Sequence, residues 1–281
     1  MTHTRAALLL AFAALMFSSG GLMIKVVDLS PVAIVGARGA ITAIVLWFYM
    51  RWPKFTPEFT SKFTWSVAQL GAALGIAGAQ FFFVLATKQT TAANAVFIQF
   101  SAPIYVALLG IWLLKERVKP ADWLSMLLVF TGLGFFFAGD LDISGLWGNV
   151  NALISGISLA FFIVFMRMQK DGSALESIFL GNVLCALCLP FLLTQTPSLA
   201  DWGGLLFLGL FQMSIPFVML SVSIRYLTAL EAIIIQTLEP ILNPIWVFLV
   251  IGERPTPLAL VGCFIVFATV FVRSLRLSRA D

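Results

Sequence analysis

The chain has 281 residues, 60% of them hydrophobic and 11% charged, with a formal net charge of +4; its mean hydropathy is +1.02. A soluble domain carries roughly 45–50% apolar and about 25% charged residues, so this composition excludes a water-soluble globule. The apolar runs are continuous and do not alternate, which excludes a transmembrane β-barrel.

Ten runs approach the roughly 20 apolar residues that a helix needs to cross a bilayer. In chain order they are predicted at 6–24, 31–50, 64–86, 91–114, 121–139, 145–166, 174–193, 202–224, 228–251 and 256–273. The connections are short, and none is long enough to fold as a second, soluble domain. The first run follows Arg5 and has no small-residue cleavage site after it. Its tail, Gly20-Gly21-Leu22-Met23-Ile24, stays apolar, so a retained helix is expected and not a signal peptide.

Lysine and arginine set the orientation. With the N-terminus in the cytoplasm, the inside segments hold Arg5, Arg51, Lys54, Lys62, Lys115, Arg117, Lys119, Arg167, Lys170, Arg225, Arg273, Arg276 and Arg279; the outside segments hold Lys25, Lys88 and Arg254. Both termini are therefore expected in the cytoplasm, with the chain crossing the inner membrane many times. The pI of about 9.1 reflects this bias and implies no nucleic-acid partner.

Cys185 and Cys188 form a C-x-x-C inside the apolar run LCALCLPFLL. Metal and redox motifs of that spacing need polar, accessible surroundings, so these two and Cys263 are read as packing. His3 stands alone near the terminus. No G-x-x-x-x-G-K-[ST] is present, and no cofactor is expected.

The strongest signal is internal repetition. Shifting the chain by 137 residues lays Trp65 on Trp202, Lys88 on Arg225, Thr91-Ala92 on Thr228-Ala229 and Ala95 on Ala232. The same shift lays Ile98-Gln99 on Ile235-Gln236, Pro103-Ile104 on Pro240-Ile241, Glu116-Arg117 on Glu253-Arg254, Pro120 on Pro257 and Val129-Phe130 on Val266-Phe267. Hydrophobicity alone would not align glutamine, proline, tryptophan and Glu-Arg. Before residue 50 the better shift is 142, which pairs Lys25 with Arg167. The chain thus reads as two halves of five helices, 1–139 and 145–281. Five is odd, so the second half enters the membrane upside down relative to the first. Inverted repeats of this kind are a recurring plan of secondary transporters, with the substrate site near the midplane between the halves.

The segment from Thr91-Ala92 to Pro103, the stretches LLKERVKPADW and VIGERPTPLAL, and DLSPVAIVGARG over residues 28–39 resemble the repeated signature of EamA-type transporters of the drug/metabolite transporter superfamily. The resemblance spans essentially the whole chain. It implies a ten-helix carrier that exports small metabolites such as amino acids, with Arg38 at the family's arginine position. Where family members often carry Trp-Gly in the first helix, this chain has Phe17-Ser18, and the matching position in the sixth helix is Leu159. The resemblance implies that Phe17, Ser18 and Leu159 face the cavity.

Glu239 lies in QTLEPILNP, residues 236–244, in the middle of an otherwise apolar run. A charge at a helix centre costs roughly 2.5–3.5 kcal/mol on insertion scales, so this carboxylate must face the bundle interior and be paired, protonated or wet. Pro240 removes a backbone hydrogen bond beside it, and a freed carbonyl in a membrane is tolerated only against protein or a watery cavity. The equivalent of Glu239 in the first half is Ala102. Two readings stand: a site for a proton or a substrate amine, or a buried carboxylate that holds helices together. Arg38, the only central cation, can bind a substrate carboxylate, pair with Glu239, or serve structure by snorkelling or by tying helices through carbonyls. Gln99 and Gln236, one turn before their prolines, can hydrogen-bond a zwitterion or join helices. Gln80, Asn94, Gln212, Asn243 and Ser18-Ser19 are further candidates. Glu231, near the end of the ninth helix, is read as solvated. Glu116 and Glu253 are read as structural, favoured by the dipole at the starts of the fifth and tenth helices. Gly71-x-x-x-Gly75 with Gly78 predicts a close helix approach.

The expectation is a carrier for a small-molecule substrate in a lipid bilayer, with proton coupling and oligomeric state left open. A vitamin- or nucleoside-like ring compound is the alternative cargo. A membrane-embedded enzyme is the rival from another class; one terminal histidine and no carboxylate cluster weigh against it.

Overall fold

The fold is that of a computed structural model, which describes residues 1–52, 63–90, 92–137, 145–170, 174–242 and 257–278. It is all-helical among these residues. The first span is α1 (His3–Phe17) and α2 (Gly20–Val26), followed by α3 (Pro31–Arg51) and α4 (Val67–Gln89). The fourth is α5 (Ala92–Gln99), α6 (Ala102–Leu109) and a π-helical turn, Gly110–Leu114; the fifth is α7 (Pro120–Phe137). In the second half come α8 (Leu146–Met168) and α9 (Ala174–Ala186), the latter closing in a 3₁₀ turn, Leu189–Leu192. The eighth span runs as α10 (Leu199–Phe207), a π-helical stretch Leu208–Ser214 and α11 (Ile215–Ser223). Then come α12 (Ala229–Gln236) and α13 (Pro257–Ser278). Each predicted run holds one or more helices in its described part, and six of the helical spans among the described residues are by themselves long and apolar enough to cross a membrane.

Start signals follow from sequence. Ser30 and Ser66 place hydroxyls under the amides of Ala33 and Gln69, with Pro31 opening α3. The interruptions are the departure from ten uniform runs. Between α1 and α2 the hydroxyls of Ser18 and Ser19 donate back to Leu15 O at 2.6 Å and Met16 O at 2.8 Å, competing with the helix for its carbonyls. Pro103, Pro190 and Pro216 stand at the starts of new helical segments, as their missing N–H requires.

Contacts between the halves obey the repeat. Across the halves α4 packs along α8, α5 on α8, α3 on α9, α1 on α11 and α12, α6 on α12, and α7 on α13. Moving by one repeat turns α4–α8 into α11–α1 and α5–α8 into α12–α1, and returns α3–α9 and α7–α13 to themselves. This is the pattern of a pseudo-two-fold axis, which for five-helix halves lies in the membrane plane. The α4–α8 approach uses the glycine stripe. A Cβ on Gly75 would stand 2.7 Å from Phe162 N, and one on Gly71 2.6 Å from the Phe165 ring, so backbone meets backbone as the small-residue spacing predicts.

Besides those in the middle of the bundle, bonds between the halves lie at its two ends. One end holds the N-terminus, Glu116, Arg167 and residues 224–231. Glu116 does not serve the helix that follows it: its Oε1 accepts from Arg167 Nε at 3.1 Å and its Oε2 from Ala229 N at 3.3 Å. It thus sits at the N-terminus of α12. The backbone accounts for this, because Lys115 is left-handed (φ 54°) and Glu116 N closes back on Gly110 O at 3.1 Å, ending the helix before the carboxylate. Arg167 Nη1 also donates to Ile224 O and Arg225 O. Glu231 is buried, not solvated as the sequence suggested: it forms a capping box with Thr228 and lies 3.3 Å from His3 Nε2. His3 is therefore not alone. At the other end Asp28 N donates to Asp201 Oδ1 (2.9 Å), Ser30 N to Gln195 Oε1 (2.9 Å), and Asn151 Nδ2 to Gln89 Oε1 (2.7 Å). The three cysteines are unpaired, and Cys185 is buried against Gly39, as packing.

Candidate functional site

Between the halves lies a cavity of about 70 Å³. The first half contributes Phe17, Arg38, Gln80 and Gln99, and the second contributes Gln212, Gln236 and Glu239. Phe83, Phe100, Phe162, Phe217 and Leu159 complete much of the wall. Phe217 meets Phe17 edge-on with centroids 5.3 Å apart, closing one side. A space of this size takes several waters, well short of the roughly 300–1,000 Å³ of a drug-sized site. A larger guest therefore needs the surrounding helices to part.

Arg38, on α3, is only 1% exposed, so it does not snorkel. Its Nη2 donates to Gln80 O on α4 at 3.3 Å, while its Nε is buried without a partner among the described residues. Gln80 Nε2 donates to Asn182 Oδ1 on α9 at 3.3 Å, and Asn182 Nδ2 in turn to Ile178 O at 2.8 Å. The chain Arg38–Gln80–Asn182 thus runs across three helices and both halves. Gln80 Oε1 is left without a protein partner.

Gln212, in the π-helical stretch, donates from Nε2 to Phe17 O at 3.2 Å. That carbonyl stands at the break between α1 and α2. Gly20 admits the amide, since a Cβ there would lie 2.6 Å from Gln212 Nε2. Gln99 donates to Ser155 Oγ at 2.7 Å, and Ser155 donates on to Ala79 O at 2.7 Å. Gln236 makes no side-chain hydrogen bond with any described residue, and its Nε2 is buried without a partner.

Glu239 is partly buried and lines the same cavity as Arg38. No direct ion pair joins the two. One cation and one carboxylate, from opposite halves, therefore share a small, largely apolar space with amides that still have unmet hydrogen-bonding capacity. Buried polar groups are normally satisfied, and those left open call for a partner.

Of the residues picked out from sequence, the structure brings Arg38, Gln80, Gln99, Gln236, Glu239 and Phe17 together, with Gln212. Ser18 is buried beside them but turns its hydroxyl to its own helix. Asn243 lies outside the described residues. Sequence reasoning missed Asn182 and Ser155. Asn182 was visible as a lone amide in the apolar run IFLGNVLCALCL, and a polar residue in a membrane helix marks a site by default. Among the described residues no group of three or more His, Cys, Asp or Glu could hold a metal ion.

Comparison with known proteins fits this architecture. The model of the EamA-like transporter family matches residues 4–138 and again 146–275. An uncharacterized transporter of Archaeoglobus fulgidus is 26% identical over 192 residues, 68% of this chain and 70% of that protein. The uncharacterized transporter YdfC of Bacillus subtilis is 28% identical over 220 residues, 74% of this chain and 72% of the relative. A crystal structure shares the fold with a TM-score of 0.79 at 18% identity, covering 96% of this chain and 98% of its own.

Proposed function

Because the chain belongs to the EamA-like transporter family, we propose that this multi-pass membrane transporter exports a small amphipathic metabolite, an amino acid, by alternating access. The observation that carries the reading is that Arg38 and Glu239 line one cavity from opposite halves without pairing with each other. An amino acid brings the complement of both: a carboxylate for the open Nε of Arg38, and an ammonium for Glu239. Guanidinium–carboxylate contacts are among the stronger hydrogen bonds available, and they gain strength where water is excluded. The phenylalanines receive the apolar side chain. They also favour a ring compound as the alternative cargo, one that would engage the open amides. The inverted halves supply the motion: two packings related by the pseudo-two-fold expose the cavity to opposite sides in turn. Both termini lie in the cytoplasm and the membrane is the inner one, supported by the bias of lysine and arginine toward that side.

The test is flux from proteoliposomes loaded with labelled L-amino acids, nucleosides and vitamins. Saturable release of an amino acid is expected. Glu239→Gln keeps the size and removes the charge. If Glu239 holds the amine, affinity falls about tenfold or more; if it carries a proton, binding persists and the pH dependence of flux disappears. A variant that transports like the parent at every pH would overturn the assignment of Glu239.

A further inference from the structure

Gln99 and Gln236 are equivalent under the repeat, yet they are held differently. Gln99 is locked by a relay, Gln99 Nε2 to Ser155 Oγ and Ser155 to Ala79 O, both at 2.7 Å. Gln236 is 4% exposed and its Nε2 meets no acceptor among the described residues. The cause lies in two residues of the helix facing each glutamine. α8 faces Gln99 with Ser155-Gly156; the equivalent residues after a shift of 142 are Ala13-Ala14 of α1, the helix that packs on α12. Ala13 has no hydroxyl to offer, so the relay has no counterpart. Gly156 matters independently. A Cβ there would stand 2.7 Å from Gln99 O, so α8 lies directly on α5 only because that position is glycine. The equivalent Ala14 carries the methyl group that Gly156 lacks. The first-half glutamine is thus a strut and the second-half one an unengaged amide on the cavity wall.

We infer that Gln236 is the glutamine that contacts and selects the substrate, that Gln99 only fixes α5 to α8, and that the pairs Ala13-Ala14 and Ser155-Gly156 set this division. The inference rests on the cavity being the transport site. It adds that the halves have unlike roles: Arg38 takes the substrate's carboxylate from the first half, while Gln236 and Glu239 take its polar groups from the second. A free carboxamide supplies both a donor and an acceptor, so Gln236 reads a polar group on the substrate that a purely apolar wall would ignore. An unpaired amide on the wall also disfavours guests that leave it unmet.

The test measures flux of singly labelled L-amino acids in proteoliposomes, together with the melting temperature of each purified variant. Gln236→Ala is expected to raise KM about tenfold, to alter the ratio of KM values between two amino acids, and to leave Tm unchanged. Gln99→Ala is expected to lower Tm by about 2–4 °C with KM within about twofold of the parent. Ala13→Ser supplies the missing hydroxyl and is expected to raise KM as Gln236→Ala does, while holding or raising Tm. The inference is overturned if Gln236→Ala leaves KM and selectivity unchanged while Glu239→Gln alters transport, or if Gln99→Ala shifts KM as far as Gln236→Ala. If neither Glu239→Gln nor Gln236→Ala changes transport, the cavity itself is not the site and both readings fall.

Discussion

Both ends of the bundle are clasped across the halves, but with different bonds. At the Glu116 end side chains pair across the halves, Glu116 with Arg167 at 3.1 Å and His3 with Glu231 at 3.3 Å, beside the single bond from Ala229 N to Glu116. At the opposite end, side chains of the second half hold backbone amides of the first, Asp201 on Asp28 N and Gln195 on Ser30 N. Water can take over a partly exposed ion pair at little cost, a median of about 0–1 kcal/mol. A backbone amide that loses its acceptor away from water carries the full desolvation penalty. The ends therefore differ in the kind of bond that must break for each to open: side-chain pairs at one, and at the other side chains on the backbone amides of an exposed Asp28 and a half-buried Ser30.

Three measurements break or sharpen this contrast. The largest effect is all-or-none. Reporter fusions at Asp281 and within residues 194–201 should report opposite compartments, with Asp281 cytoplasmic; the same compartment for both would undo the assignment of the ends. Next, Arg167→Ala removes the bonds to Glu116, Ile224 O and Arg225 O together. It is expected to cost about 1–3 kcal/mol of stability and to speed thiol labelling of Leu230→Cys, which sits by Glu116 in the crevice at that end, about tenfold. Unchanged labelling would mean that Arg167 does not close this end. Smallest is Gln195→Ala, which strips the acceptor from Ser30 N and the donor from Ser30 Oγ. It should lower stability by about 1 kcal/mol and leave labelling of Leu230→Cys as it was. A large rise in labelling would show that the two ends are coupled and not distinct.

Much of this architecture was legible in the sequence because hydrocarbon enforces it. A run of apolar residues has one stable conformation in lipid, so the helices could be placed. Glutamine, proline and Glu-Arg pairs recurring at one shift can hardly arise from hydrophobicity, so the repeat could be read too. The membrane charges Arg38 and Glu239 were conspicuous because burying them is costly. What could not be read was direction. Whether Glu116 serves the helix after it or α12 depends on a left-handed Lys115, which no residue type there announces. Whether Glu231 meets water depends on His3, 228 residues away in the chain. The π-helical stretch around Gln212 leaves no mark in composition. The fates of Gln99 and Gln236 depend on two small residues in a different helix, and single-residue inspection of the glutamines could not separate them.

The glycine stripe of α4 has a consequence for ancestry. Gly71, Gly75 and Gly78 find their partner, α8, in the other half, which crosses the membrane in the opposite sense. A primitive protein made of one half alone would have turned this bare backbone toward lipid and gained little from it. A sibling copy inserted the other way up would supply that partner, its own first helix playing the part of α8. Such a protein would have needed near-equal positive charge on its two faces, so that the ribosome's products inserted both ways. Fusion of the two copies would have removed that need, leaving each half free to acquire its own charge bias and, with it, residues such as Glu239 that only one of them carries.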